Sequence, residues 1–343
     1  MTLAGTYNGN VTLGLDRRLN NQSNTLAAAK DALDTMVFND TDPIANGNWT
    51  ANKDYSSQIS WQSDMGPDLS PDIFQAGVYL EVSSFNVSTL AALEGHATKY
   101  VRTFASHHYP QSASTSNLSK LMNHAQIAEY ISPFESEFEA SSSRGKPYVM
   151  GETNSATQGG GGISPTFGAG LWVMDYIFQS LILGFKALYF HQGTIGQYCW
   201  WSTSTINSPY YGAYFAALAL AHADQIAPLD NASTPYAAYA IYSESNPVKV
   251  LLYNSDYYAS GTRTNHTFIF TGLHSKAVAA KRLTAPYATS RQDEGENPTI
   301  GGQSFGNLTC GLQGEETWEK IMVVEGGEAR FVVGASEALL IYL

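Results

Sequence analysis

The chain has 343 residues, 43% of them hydrophobic and only 14% charged, and its formal net charge is −12. This composition supports a folded core and excludes a disordered chain, and with no block of Lys or Arg it argues against nucleic acid as a partner. Tyr (21), Phe (15) and Trp (6) are plentiful, which is typical of sugar-binding clefts and equally of aromatic-rich cores.

The first two-thirds of the chain alternates between strand-like and helix-like segments. Strands are predicted at residues 11–15, 74–82, 100–109, 148–151 and 187–191. Helices are predicted at 24–36, 88–97, 117–130, 136–143, 164–184 (with Ser164 as N-cap) and 211–223. This alternation indicates parallel strands joined by crossover helices, as in a doubly wound sheet or a (β/α)₈ barrel. Five strands are too few for a complete eight-stranded barrel, so an incomplete barrel is predicted.

The pattern changes after residue 228. Strands without long helices are predicted at 236–243, 248–254, 267–271, 277–283, 320–324, 329–333 and 338–343. Turn residues separate them, which favours an antiparallel β-sandwich. We therefore predict two domains, a partial (β/α) barrel over residues 1–228 and a C-terminal β-sandwich over residues 229–343.

Sequence signals for export are mixed. Asn-X-Ser/Thr sequons are spread along the chain and favour a secreted glycoprotein; they begin at Asn10, Asn21, Asn39, Asn48, Asn86, Asn117, Asn231, Asn265 and Asn307. The start of the chain lacks the basic and apolar regions of a signal peptide, so we expect an N-terminal segment to be missing. The most apolar window, 171–190, is interrupted by Asp175, Gln179 and Lys186 and predicts no membrane span.

Glu152 is the sharpest catalytic candidate. It ends the strand-like segment 146–152 and is followed by the glycine run 159–162. In parallel α/β folds, catalytic groups lie at the carboxyl ends of strands, where the loops of the active face begin. A lone Glu after a strand is more often a solvated loop residue, so its position alone is modest evidence.

Two other strand ends carry polar or aromatic residues. His107 and His108 precede Tyr109, and a metal would need a further ligand at suitable spacing, so we interpret the histidines as groups that orient a neighbouring carboxylate. The segment 189–201 is aromatic and could stack on sugar rings or simply pack. The glycine run lacks a following Gly-Lys-Ser/Thr and is not a phosphate loop. No cofactor or metal is therefore expected. Cys199 and Cys310 allow at most one internal disulfide, and the sequence leaves their pairing open.

These segments resemble glycoside hydrolase family 79. The resemblance is carried by Met150-Gly-Glu152-Thr-Asn154-Ser, by 162–176 including Trp172 and Asp175, and by Tyr189-Phe-His191-Gln-Gly. It is strongest to the fungal β-glucuronidase branch, with heparanase as a more distant relative, and runs from about residue 11 to the end. The resemblance implies a secreted hydrolase that releases glucuronate or 4-O-methylglucuronate from glycans such as arabinogalactan.

The resemblance also implies a retaining mechanism with two carboxyl groups about 5 Å apart. Glu152 matches the nucleophile and Tyr109 a tyrosine that supports it. Gly196 and Tyr198 match an element that contacts the substrate carboxylate, with a backbone N–H and a phenol as donors. His107 and Asn154 complete the expected substrate-binding set.

The chain departs from the family at the general acid. The family's acid/base lies in an Asn-Glu-Pro motif, and no Asn-Glu-Pro occurs in this sequence, where residues 36–39 join the flanking segments almost directly. Glu81 lies one strand too late to replace it, and Asp42 is better explained as a turn residue. Two barrel strands expected before residue 11 are also absent.

Three interpretations follow. The chain is a β-glucuronidase-type hydrolase by descent whose activity is low or lost because the acid/base is absent. Alternatively, it is a non-catalytic carbohydrate-binding protein that uses Gly196, Tyr198 and the aromatic segment. A third possibility is an error in the gene sequence around residues 36–39, which the transcript would reveal.

Overall fold

A computed structural model describes residues 11–16, 21–32, 36–41, 49–192 and 196–343. The chain forms two compact units. Unit 1 contains the described residues up to His108 together with Pro133–Thr153 and Leu183–Tyr189. Unit 2 contains Tyr109–Ser132, Asn154–Ile182 and the described part of Phe190–Leu343.

Eight α-helices lie in the described residues. They are α1 (Gln22–Ala32), α2 (Ala51–Met65), α3 (Val87–Leu93), α4 (Leu118–Leu121), α5 (His124–Ile131), α6 (Glu135–Ser143), α7 (Phe167–Leu183) and α8 (Ser208–Leu220). Short 3₁₀ turns follow α2 and α3, at Gly66–Asp68 and Gly95–Tyr100, and two more lie at Ser132–Phe134 and Gln292–Glu294.

Unit 1 is built on a six-stranded sheet with the order β1–β2–β3–β4–β5–β6. The strands are β1 (Val11–Asp16), β2 (Met36–Thr41), β3 (Phe74–Leu80), β4 (Val101–His108), β5 (Tyr148–Thr153) and β6 (Leu188–Phe190). Strands β1 to β5 pair in parallel with their neighbours. Residues 74–79 of β3 are all buried, as expected of a parallel strand covered on both faces.

A buried carboxyl group joins the helices of unit 1 to its sheet. Glu137 on α6 is fully buried and accepts hydrogen bonds from Val87 N–H at 2.9 Å, Ser106 Oγ at 2.6 Å and Tyr148 Oη. Val87 is the first residue of α3, and Ser106 and Tyr148 lie on β4 and β5. Burial raises the pKa of Glu137, against the opposing effect of these donors. The group thus satisfies donors from one helix and two strands.

The antiparallel part of unit 2 has one large sheet and smaller ones. Its strands are β7 (Gln225–Pro228), β8 (Tyr236–Ser243), β9 (Asn246–Asn254), β10 (Asn265–Phe270), β11 (Ala277–Thr284), β12 (Thr299–Ile300), β13 (Ser304–Phe305), β14 (Leu312–Gln313), β15 (Glu319–Met322), β16 (Ala329–Gly334) and β17 (Glu337–Tyr342). The large sheet has the order β12–β11–β17–β9–β8–β7, and β15 also pairs with β11. Strands β10 and β16 form a second sheet, and β13 and β14 a third.

One apolar cluster lies between the large sheet and the β10–β16 pair. Leu252 and Leu339 come from the large sheet, whereas Phe331, Val333 and the partly buried Phe268 come from the smaller one. Each strand contributes alternate residues, as in β16, where residues 329, 331 and 333 are buried. This is the period-2 pattern of strands that bury one face.

Helices α7 and α8 of unit 2 cross at glycines. A Cβ atom at Gly212 would overlap the carbonyl oxygen of Gly170, and one at Gly170 would lie 2.7 Å from the Ser208 carbonyl oxygen. No larger side chain fits at this crossing because the obstacle is backbone rather than a movable side chain. Helix α7 is buried along most of its length.

Many predicted elements are confirmed, including the mixed composition with one parallel sheet and antiparallel sheets. Three predictions were wrong. The helix predicted at 24–36 ends at Ala32, and Met36 begins β2, while 33–35 lie outside the described residues. The helix predicted at 117–130 is two helices, because Asn117 and Asn123 each cap a separate start. Ser164 is not the N-cap of α7, which begins at Phe167, and the Thr166 hydroxyl accepts from Ala169 N–H.

The sequence analysis also missed α2 and β2. The proposed division at residue 228 stays a prediction. Both cysteines are free, with Cys199 buried and Cys310 exposed.

Candidate active site

Glu152 lies at the carboxyl end of β5 in unit 1. It is the penultimate residue of the strand and is partly exposed. The neighbouring residue, Gly151, faces Gln75, Ala105 and His107, and a Cβ atom there would lie 3.1 Å from Gln75 Nε2. A larger residue before Glu152 would crowd the strand. The carboxylate therefore lies where the loops of a parallel sheet begin.

The two histidines of β4 lie beside this strand end. His107 pairs with Glu152 and His108 with Thr153, after a register shift between Ser106 and His107. Such an irregularity bends the strand and re-aims the side chains that follow it. The strand pairing thus places His107 beside Glu152, and the roles predicted for both residues stay predictions.

His108 is buried and neutral. Burial lowers the pKa of His108 to about 3, and its ring packs edge-on against Phe134 at 5.3 Å. Its Nε2 atom lies 3.7 Å from Glu81 Oε2. With an uncharged imidazole this contact is polar rather than ionic. Glu81, just after β3, has a positive φ of 60°, a backbone conformation that is uncommon for residues other than glycine.

Four residues of unit 2 form what we call the Tyr198 cluster: Tyr109, Asn154, His191 and Tyr198. Tyr109 Oη and His191 Nδ1 are 3.0 Å apart and hydrogen-bonded. The Tyr198 ring centroid lies 5.2 Å from that of His191 and 6.4 Å from that of Tyr109. Three rings therefore lie close together, and two of them, Tyr109 and Tyr198, were predicted to bind substrate.

Asn154 holds the backbone of the Tyr198 cluster. Its Nδ2 donates to the carbonyl oxygens of His191 at 2.9 Å and Tyr198 at 3.3 Å, and its Oδ1 accepts from Ser155 N–H at 2.7 Å. Asn154 and Tyr198 are both buried. The amide thus fixes the separation of two chain segments that each carry a ring of the cluster.

Glycines bring the loops of this cluster together. Gly160 has a φ of +84°, and a Cβ atom there would lie 3.0 Å from Tyr198 N. Gly196 approaches the Gly159 carbonyl oxygen, which accepts from Gln197 N–H at 2.5 Å. Only glycine allows both the left-handed conformation and this approach. The glycine run thus has a packing role beside the cluster.

The prediction omitted His191 from the site, although the aromatic segment that contains it was identified. Its partner, Tyr109, lies 82 residues away in the chain, so no local spacing revealed the pair. Residues 193–195 of that segment lie outside the described residues.

A second polar cluster in unit 2 surrounds a buried histidine. His124 Nδ1 lies 2.8 Å from Asp175 Oδ2, and His124 Nε2 lies 3.0 Å from Asp230 Oδ1. Gln179 Nε2 donates to Asp175 Oδ2 at 2.9 Å, and Tyr239 Oη donates to Asp175. Burial favours neutral imidazole, but the two carboxylates outweigh it and raise the pKa of His124 to about 10.

Across the described parts of the chain, no group of three or more His, Cys, Asp or Glu side chains is arranged to hold a metal ion. Among those same residues, no helix has the length and apolar character needed to cross a membrane.

Comparison with known proteins finds one matching family model and two related β-glucuronidases. Residues 238–340 match the glycosyl hydrolase family 79 C-terminal beta domain. The chain is 30% identical over 314 residues to a β-glucuronidase from Neurospora crassa, covering 71% of this chain and 54% of that protein. A β-glucuronidase from Aspergillus niger is 31% identical over 148 residues, or 39% of this chain and 27% of that protein. The chain therefore spans about half or less of these two relatives.

A solved structure is more similar. The 4-O-α-L-rhamnosyl-β-D-glucuronidase of Fusarium oxysporum 12S is 52% identical, with a TM-score of 0.96 over 100% of this chain and 78% of that one. An α-L-arabinofuranosidase from Thermotoga maritima, 13% identical with a TM-score of 0.58 over 89% of this chain and 65% of that one, shares the fold.

Proposed function

Because the chain belongs to glycoside hydrolase family 79, in its fungal β-glucuronidase-like branch, we propose that it derives from a retaining β-glucuronidase. Its substrate class is a glycan, such as an arabinogalactan, that ends in glucuronate or 4-O-methylglucuronate. The Fusarium relative is named for glucuronate that carries rhamnose at O4, and at 52% identity this end group is a further candidate.

Glu152 is the proposed nucleophile. Its place at the carboxyl end of a parallel strand, paired with His107, is the observation that carries the proposal. One carboxylate oxygen of Glu152 attacks the anomeric carbon, the bond to the leaving oxygen breaks, and that oxygen departs with the electron pair. Water then hydrolyses the glycosyl ester and returns the carboxylate.

The Tyr198 cluster is the proposed binding surface for glucuronate. Phenol and backbone N–H groups can donate to the substrate carboxylate without a buried cation. In this proposal Tyr109 supports the nucleophile, and Gly196 and Tyr198 contact the substrate carboxylate. Asn154 acts by positioning the backbone that carries Tyr198.

We further propose that turnover by this chain is weak. The sequence has no Asn-Glu-Pro, and loss of general acid catalysis typically costs a factor of about 10²–10⁴. The leaving oxygen of an ordinary glycoside then departs as an alkoxide. Activated leaving groups, which need no protonation, are expected to react.

The decisive experiment compares an alkyl β-glucuronide with a dinitrophenyl β-glucuronide. We expect no measurable turnover of the first, and release of dinitrophenolate with a glucuronyl ester on Glu152, found by peptide mass spectrometry, for the second. Glu152→Gln should abolish the ester, whereas Glu139→Gln, an exposed glutamate on α6, should not. Turnover of the alkyl glucuronide that is lost in Glu152→Gln would show that the chain has a working acid. An ester at any other residue would remove Glu152 as nucleophile.

The second candidate is a non-catalytic carbohydrate-binding protein. The preformed Tyr198 cluster is the observation that favours it. Calorimetry with glucuronate and a glucuronide tests this function directly, and absence of binding heat at millimolar ligand would remove it.

We also propose the finer architecture and the location expected from the sequence. The six-stranded sheet of unit 1 supports an incomplete (β/α)₈ barrel within residues 1–228, and the two sheets around one apolar cluster support a β-sandwich within 229–343. The spread of sequons supports a secreted glycoprotein.

A further inference from the structure

Helix α8 carries two stacked tyrosines on one side. Tyr210 and Tyr214 are four residues apart, which places them on one face of a helix. Their ring centroids are 6.5 Å apart with an interplanar angle of 29°. Both rings rest edge-on against the buried Phe305, at 4.9 and 5.0 Å. Both tyrosines are partly exposed, so the stack presents aromatic surface outward from a rigid support.

Exposed tryptophans extend this surface at both ends. Trp201, 46% exposed, lies 6.4 Å from Tyr210. Trp318, 47% exposed, lies 5.2 Å from the ring of Tyr342. We call these five residues (Trp201, Tyr210, Tyr214, Tyr342 and Trp318) the aromatic ridge.

The two parts of the ridge are joined at the end of α8. Lys249 Nζ donates to the carbonyl oxygens of Leu218, Ala219 and Ala221 and lies 5.8 Å from the Tyr342 ring. Burial raises the pKa of Tyr342, and so do the nearby Glu316 and Tyr214. Helix α8 has 13 residues, a length of about 20 Å, so the ridge is long enough for several sugar units.

One cation beside the ridge is paired with a carboxylate. Lys281 lies 4.4 Å from the Trp318 ring and forms an ion pair with Glu316. At the other end, Trp201 is followed by the hydroxyl-bearing residues 202–205. Sugar rings present C–H faces to the negative faces of aromatic rings and hydroxyl groups to polar neighbours. The ridge offers both kinds of contact.

The ridge starts beside the Tyr198 cluster. Trp201 follows Tyr198 by three residues, and its carbonyl oxygen accepts from Gln192 Nε2 at 2.9 Å. Gln192 Oε1 also accepts from Trp200 N–H at 2.8 Å, so this segment is fixed next to His191. We propose that the aromatic ridge is a glycan-binding surface that holds an extended neutral or weakly charged polysaccharide. This inference does not depend on hydrolysis.

The test is affinity electrophoresis through gels containing soluble arabinogalactan or β-1,4-xylan. We expect retardation by at least one polysaccharide, and a rise of about tenfold in its dissociation constant for Trp201→Ala/Trp318→Ala, because two stacking contacts are lost. Tyr257→Ala, which removes an exposed aromatic residue that is not part of the ridge, should behave like the unmodified chain.

Each single tryptophan variant is measured beside the double variant, with melting temperatures to confirm folding, so that one folded variant suffices to decide. Retardation by neither polysaccharide, or equal retardation of folded ridge variants, would overturn the proposal. So would a concentration-dependent dimer that only the ridge variants disrupt, because the ridge would then be an interface between copies of the chain.

Discussion

The Tyr198 ring is held by its neighbours in the cluster, whereas its phenol is the group proposed to meet the substrate. The ring contacts His191 and Tyr109, and the Tyr198 carbonyl oxygen accepts from Asn154. Removing only the hydroxyl should therefore leave the cluster in place. This allows binding chemistry to be separated from packing at a single atom.

Tyr198→Phe is expected to weaken binding of glucuronate by roughly tenfold or more, since a hydrogen bond to a charged group is worth about 1.5–3 kcal/mol. Calorimetry at neutral pH measures the change. Binding of the uncharged methyl glucoside should be unaffected. An equal loss of affinity for both sugars would show that the Tyr198 hydroxyl does not bind the carboxylate of glucuronate.

His124 gives a prediction about pH. Its pKa rises from the ordinary 6.5 to about 10 in the folded chain, so its charge stabilises the fold fully below pH 6.5 and progressively less as pH rises to about 10. Burial tends to raise the pKa of Asp230, but hydrogen bonds from His124 and two backbone N–H groups lower it. The stabilisation of the fold by ionised Asp230 is fully present above pH 3.8, the ordinary pKa of an Asp side chain, and is lost as pH falls. The other groups facing His124 are Asp175, Gln179 and Tyr239.

His124→Gln should lower the free energy of unfolding by about 3–5 kcal/mol between pH 4 and 6.5, because it leaves buried carboxylates without their cation. The loss should shrink as pH approaches 10. Chemical denaturation across this pH range measures it, and His274→Gln, at an exposed histidine, is the matched control. A loss that is constant with pH would show that packing, not charge, is responsible.

The positions of single residues were predictable where a strand end identified them, while their roles stay predictions. Glu152 and His107 follow from the position of β5 and β4, and the strand pairing brings them together. The pairing of His191 with Tyr109 and the His124–Asp175–Asp230 group were not predictable, because the residues that pair are 51 to 106 positions apart in the chain. Contacts at such separations depend on the fold and leave no local pattern.

At the scale of elements, the crossing of α7 and α8 is the most restricted contact. A methyl group at Gly212 has no space, since it would overlap the Gly170 carbonyl oxygen. Backbone cannot move aside as a side chain can, so the two helices would have to separate.

Gly212→Ala should therefore destabilise the chain by more than about 3 kcal/mol, at the upper end of overpacking effects, despite the higher helix propensity of Ala. Thermal unfolding reports the change. Gly162→Ala is the control, because no atom lies within 4 Å of its added Cβ. An unchanged melting temperature for Gly212→Ala would mean that α7 and α8 do not approach this closely.

Helices and strands were predictable where the spacing of apolar residues and the capping residues indicated the same element. Strands β3, β4, β8 and β9 are strongly apolar and were located within a few residues. Helix α2 was missed because its Asn, Gln and Ser content resembles a loop, although Thr50 caps it and Trp61 and Met65 are buried. Strand β2 was missed because Met36 also fits the end of a helical pattern. Tertiary packing outweighs local propensity in both cases.

At the scale of the whole molecule, the sequons make a testable set. Among the described sequon residues, five are exposed: Asn21, Asn117, Asn231, Asn265 and Asn307. Asn117 uses its Oδ1 atom to accept from Lys120 N–H, which leaves the glycosylated atom, Nδ2, outside that bond. A glycan there is compatible with the helix cap.

When the chain is expressed through the secretory pathway of a fungal host, endoglycosidase should therefore lower its apparent mass. The combined Asn→Gln substitution of these five exposed sequons should remove most of that shift. An unshifted band would contradict the prediction of a glycoprotein.

The Asn154 amide has a consequence for binding entropy. Its bonds to the His191 and Tyr198 carbonyl oxygens lie within the protein, so the ordering of this part of the cluster is completed when the chain folds. A ligand that docks there gives up its own freedom while the cluster gives up little, which favours binding by a rigid, preorganised surface. The temperature at which Asn154 loosens should accordingly set the upper limit at which the cluster can recognise a sugar.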